Sequence, residues 1–78
     1  MDGKRKEILR KLEGYLKFRG MTKADLAKEW EKTEAYIYRR FSGEVELSLT
    51  DILELCKILH LSKSEATDIF FNWILRIT

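Results

Sequence analysis

Leucine and isoleucine recur along this chain at spacings of three and four, and the apolar runs are separated by glycines or by small hydroxyl residues followed by an acid three positions later. Ile8, Leu9, Leu12, Tyr15 and Leu16 place one apolar stripe on a first helix from about residue 4 to residue 18. Gly14 weakens that helix slightly, and Gly20 follows where a residue tolerating positive φ ends a helix. Arg19, just before it, suits the negative end of the helix dipole. Thr22 with Asp25 then begins a second helix, Lys23 to about Trp30, because each side chain can satisfy an otherwise orphaned amide of the first turn. Its inward face is predicted to be Leu26, Ala27 and Trp30, with the small Ala27 letting another helix come close.

After a short turn Thr33 opens a third helix, Glu34 to about Ser42, with Gly43 available to end it. Two short helices joined this tightly form a helix-turn-helix. Residues 44–47 read as a loop, and Ser48 with Asp51 begins a fourth helix. Leu49, Ile52, Leu53, Cys56 and Leu59 form its stripe, widened by Leu55 and Ile58. So broad an apolar girth predicts a central helix covered on two sides. Ser62 with Glu65 opens a fifth helix through Ala66, Ile69 and Phe70 to Ile77.

Composition agrees with an all-α, compact five-helix bundle. The 78 residues include no Pro and a single Val, and 45% are hydrophobic, enough for one small core. They read as one helix-turn-helix domain over residues 1–78. The single cysteine cannot form an internal disulfide, and no Cys or His cluster offers metal ligands at a usable spacing. A reducing cytoplasm is therefore expected, with no cofactor, metal or small-molecule ligand evident. The longest apolar stretch, Ile69 to Ile77, is broken by Asn72 and Arg76, so neither a membrane span nor a signal peptide is expected.

Charge is polarised. Residues 1–19 hold seven Lys or Arg against three acids, residues 20–45 five against five, and residues 46–78 three against five. A basic half facing an anionic partner is one reading, and a solvated helix with interleaved Lys and Glu is the other.

The third helix carries the candidate chemistry. Turning each residue by about 100° puts Ile37 and Phe41 on the core side. Ala35, Arg39 and Ser42 lie opposite, flanked by Tyr36 and Tyr38, with Arg40 at the boundary. Double-stranded DNA accounts for such a surface, since a helix fits the major groove and small side chains permit close approach. Tyrosine and arginine would donate to phosphates and Glu34 would accept from a cytosine amino group. The helix starts at Thr22 and Thr33 add amides for phosphate oxygens. Two exposed tyrosines and an arginine equally suit a protein-binding hot spot, so an adaptor or antirepressor on the same scaffold stays open.

The stretch from Arg19 to Gly43, RGMTKADLAKEWEKTEAYIYRRFSG, followed by LSLTDILELCKIL, resembles the Cro/C1-type helix-turn-helix family of phage and bacterial transcriptional regulators. The matching positions are Gly20, Thr22, Leu26, Ala27, Thr33, Ile37, Arg39, Gly43, Leu49 and Ile52. Glu31 stands where that family often has Gly in the turn, and Lys32 where it has an apolar residue. The resemblance covers about residues 8–61 and implies a lambda-repressor-like bundle that binds a near-palindromic operator as a homodimer, most simply as a repressor, with the third helix in the major groove. By position it implies that Lys23 contacts backbone or base and that Glu34, Ala35, Tyr38 and Arg39 face the groove. Thr22, Thr33, Arg40 and Ser42 would lie near phosphates.

The tail holds more large apolar residues than one helical face can bury, which points to a dimer interface in residues 69–77. Phe70, Trp73, Ile74 and Ile77 make one stripe while Phe71 and Leu75 point away, so that one stripe would close the monomer and the other meet a twin subunit, all six being candidates for the interface; the other reading is a tail simply folded back over the first or fourth helix. His60 and Cys56 are read as structural. No nucleophile with a base, paired carboxylates or phosphate loop occurs, so no enzyme is expected.

Overall fold

The computed structural model describes residues 3–77, with side chains throughout that range except at positions 4, 76 and 77. Five helices follow one another: α1 Gly3–Phe18, α2 Lys23–Trp30, α3 Glu34–Phe41, α4 Leu49–Ile58 and α5 Lys63–Ile77. No strand occurs among the described residues.

The helix starts follow from the hydroxyl residues. Thr22 Oγ1 accepts from the Asp25 amide at 3.0 Å while the Asp25 carboxylate accepts from the Thr22 amide at 2.9 Å. Ser48 and Asp51 make the same reciprocal pair at 3.0 Å each way, and Ser62 with Glu65 does so at 2.8 and 3.1 Å. Thr33 accepts from the Tyr36 amide at 3.1 Å without a return bond, because a tyrosine occupies the position where the other starts have an acid.

The helix ends share a second device. Met21 N–H reaches Leu16 O and Gly20 N–H reaches Lys17 O at the end of α1, and the same paired bonds join Lys32 to Ala27 and Glu31 to Lys28 after α2, and Leu61 to Cys56 and His60 to Lys57 after α4. This closure requires a left-handed residue. Gly20 supplies it at φ 65°, but Glu31 and His60 adopt φ 56° and 51° with side chains that resist it. The turn between α2 and α3 therefore keeps the geometry that glycine would favour although a glutamate occupies it.

Ile8, Leu12, Leu26, Ile37, Ile52, Leu55, Leu59 and Ile69 are fully buried and draw one residue or more from every helix into a common core. The long helices α1 and α5 pack along each other, and α2 packs on both α3 and α4. Lys11 pairs with Asp68 and Arg19 with Glu65 across the α1–α5 seam. The Trp73 indole donates to the Leu47 carbonyl at 3.2 Å, tying α5 to the segment before α4.

Two faces differ from expectation. On α4 the inward line is Ile52, Leu55 and Leu59, together with Asp51, while Leu49 and Leu53 are exposed and Cys56 and Ile58 half-buried. Its inner side packs on α2 and, through Asp51, receives Tyr36 and Arg40 of α3, while the side carrying Leu49 and Leu53 stays open. On α5 Ile69 is buried and Phe70 and Trp73 are half-buried, which turns Ile74 outward beside Phe71 and brings Leu75 to half-burial. Ile74 thus leaves the stripe of Phe70 and Trp73 to stand beside Phe71, and Leu75 joins that stripe. The side chain of Ile77 lies outside the described residues.

Candidate nucleic-acid interface

The helix α3 is eight residues long and is held to the core by Ile37 and Phe41. One turn separates these anchors, which leaves Glu34, Ala35, Tyr38, Arg39 and Ser42 exposed on its outer side. Thr22 and Thr33, at the starts of α2 and α3, are exposed as well. Seven of the ten residues singled out for DNA contact therefore share open surface.

Lys23 is half-buried. Its Nζ lies 3.1 Å from a Glu13 carboxylate oxygen on α1 and 5.4 and 5.7 Å from the ring centres of Tyr38 and Phe41 on α3. The ammonium is therefore shared by three helices, and Tyr38 presents a ring with a cation already above it. Arg39 differs, since its guanidinium makes no ion pair among the described residues. Its carbonyl accepts from the Ser42 hydroxyl at 3.1 Å and from the Val45 amide at 3.0 Å, which fixes the end of the helix.

Tyr36 and Arg40 stand apart from these. The sequence pattern put Tyr36 on the exposed flank, and the structure corrects this to partial exposure; Arg40 is at the boundary, as its position on the helix implies, and both side chains turn toward α4. The Tyr36 hydroxyl donates to Asp51 Oδ1 at 2.6 Å, and Arg40 Nε donates to Asp51 Oδ2 at 3.2 Å. Arg40 Nη1 donates back to the Tyr36 carbonyl at 3.3 Å, with its guanidinium stacked on the Tyr36 ring. The same ring stands edge-on to Trp30 at 5.4 Å, and Lys32 Nζ lies 5.0 Å from its centre. The cause is Asp51, the one buried charged residue among those described. A buried carboxylate demands donors, and the two side chains a turn apart on α3 supply them.

Burial pushes the Asp51 carboxyl up, but hydrogen bonds from Tyr36, from the Ser48 amide and from Arg40 outweigh it and hold the group below the ordinary aspartate value. The Tyr36 phenol moves the other way, raised by burial and then by its bond to Asp51. The part played by Asp51 had a signal in the sequence. Its spacing of four from Leu55 puts both on one face of α4, so the residue that caps the helix also points into the core. The pairing of Glu13 with Lys23 had none, since it depends on how α1 crosses α2.

Elsewhere α5 carries an apolar groove of about 300 Å³ lined by Ala66, Thr67, Phe70, Phe71 and Ile74. Phe71 is 59% and Ile74 39% exposed. Cys56 is half-buried with its thiol pushed up by burial, and His60 is the exposed left-handed residue closing α4, whose carbonyl accepts from Arg19. Among the described residues no group of three or more His, Cys, Asp or Glu could hold a metal ion, and no helix is long and apolar enough to cross a membrane.

A profile of the helix-turn-helix family, of the XRE or Cro/C1 kind, matches residues 12–65, which span the end of α1 to the start of α5. Comparison with curated proteins and with solved structures gave no match.

Proposed function

Because the chain belongs to the XRE-type helix-turn-helix family, a family of DNA-binding transcription regulators, we propose that it is a sequence-specific repressor that lays α3 in the major groove of a near-palindromic operator. The observation that carries this reading is the outer face of α3, where Glu34, Ala35, Tyr38, Arg39 and Ser42 are exposed together and the Arg39 guanidinium makes no ion pair among the described residues. The small Ala35 and Ser42 leave room for base edges, Arg39 suits guanine, and Glu34 accepts from cytosine. Thr22 and Thr33, with the amides of the helix starts, border the phosphates on either side. Lys23 reaches the same side, steadied by Glu13.

The active species in this reading is a homodimer formed through the outward face of α5, where Phe71 and Ile74 stand exposed over the apolar groove. Two-fold symmetry would set the two α3 helices about one DNA turn, roughly 34 Å, apart.

A second reading, a protein-binding module on the same scaffold, is favoured by one observation. Two cations of this region are already compensated, Lys23 by Glu13 and Arg40 by Asp51, so the face is less basic than its count of Lys and Arg implies. Selection of random duplexes by the purified protein at near-physiological salt, read by sequencing, decides between them. Enrichment of a palindrome is expected; an unenriched pool from folded protein would overturn the DNA reading and leave the protein-binding one.

A further inference from the structure

The helix that presents the outer face is short, about 12 Å for eight residues, and its buried apolar anchors are Ile37 and Phe41, with the half-buried Tyr36 ring set against Trp30. Apolar contact is non-directional and leaves the roll of such a helix about its own axis poorly defined. Charge-assisted hydrogen bonds supply direction. Asp51 makes them at two points one turn apart, to Tyr36 and to Arg40, and its Oδ2 is itself fixed to the start of α4 by the Ser48 amide at 3.0 Å. The same bonds occupy Arg40, whose side chain is 17% exposed and whose Nε and Nη1 already have acceptors. The adjacent Arg39 makes no ion pair among the described residues.

We infer that Asp51 is a positioning residue for DNA reading, setting the roll of α3 and withholding Arg40 from phosphates so that Arg39 alone of the two arginines meets the duplex. The inference rests on the DNA-binding reading above. Loss of the Asp51 charge would free a second cation beside the reading face, which adds affinity for any duplex, while the loosened helix reads its own site less well. Specific and non-specific binding then move in opposite directions.

The test compares the wild-type protein with Asp51→Asn and Tyr36→Phe by fluorescence anisotropy on the selected duplex and on a scrambled one over a range of salt, with circular dichroism fixing the folded fraction. Asp51→Asn is expected to weaken binding to the selected duplex about tenfold. It should also tighten binding to the scrambled duplex and steepen the salt slope by about 0.9, the value for one added phosphate contact. Tyr36→Phe keeps the carboxylate and removes one attachment, so it should lower the ratio of specific to non-specific affinity about threefold with the slope unchanged. Parallel losses on both duplexes in proportion to the unfolded fraction, with no change in slope, would overturn the inference. Should Asp51→Asn fail to fold, an unchanged ratio in Tyr36→Phe overturns it alone. A wild-type protein that enriches no duplex overturns the DNA reading instead, which is a different result.

Discussion

The guanidinium carbon of Arg40 stands 3.4 Å from the centre of the Tyr36 ring, one turn back on the same helix. The arginine is thereby a packing element, and its neighbour Arg39 is not. Arg40→Ala leaves Asp51 buried without its cation and is expected to lower stability by about 3 kcal/mol, the scale for breaking a buried pair. Arg39→Ala should change stability by less than about 0.5 kcal/mol and weaken the selected complex by about 1–3 kcal/mol. Urea unfolding and anisotropy together check both, and the opposite ordering of the two variants would contradict the assignment.

Glu31 holds φ 56° to close α2, a conformation that costs a residue with a Cβ about 1–2 kcal/mol. Glycine relieves the strain but gains freedom in the unfolded chain, so Glu31→Gly is expected to stabilise by a net of about 0.5–1 kcal/mol. A denaturant midpoint that falls on this substitution would show that the glutamate side chain contributes more than its backbone costs.

Acid should act through the caps. Asp25 is held below its usual value by the Thr22 amide and Glu65 by the Ser62 amide, and Asp51 is lowered by its bonds despite burial. A depressed folded value means that near pH 4 the unfolded chain binds more protons, so stability is present above the unfolded values and lost as pH falls through the folded ones. The melting temperature is expected to be level from about pH 8 to 5 and to fall below about pH 4. Asp51→Asn should flatten part of that fall. Tyr36, raised in the fold, gives a second loss as pH rises through its value at the alkaline end.

Phe71 and Ile74 are exposed on α5, so charging them costs the monomer little. Phe71→Glu with Ile74→Glu is expected to leave the helical signal intact and to convert a sedimenting dimer to a monomer. A wild-type chain that sediments as a monomer at every concentration would remove the α5 interface from the proposed function.

The sequence carried the helix boundaries because their causes are local. Thr22, Ser48 and Ser62 sit three residues before an acid, and the structure closes all three reciprocal pairs. Apolar spacing was equally sufficient for α1 and α2, whose inward residues are those the pattern names. It failed on α4, where apolar residues surround the helix and periodicity cannot choose a side. Leu53 was assigned inward and is 52% exposed, whereas Leu55 is fully buried. The same ambiguity exchanged Ile74 with Leu75 on α5. On α3 the inward turn of Tyr36 and Arg40 depends on a carboxylate 15 and 11 residues away, which no local pattern shows.

Asp51 belongs to the start of α4 and to the back of α3 at once, and this limits how the reading helix can be redesigned. Positions 34, 35, 38 and 39 are open to exchange, since their side chains carry no part of the fold's interior, while Ser42 also closes the helix end. Positions 36 and 40 are not, because a graft of a foreign α3 lacking a tyrosine and an arginine there would strand the carboxylate. A transplant that changes operator preference while keeping the protein folded must therefore either retain that pair or replace Asp51 in the same step.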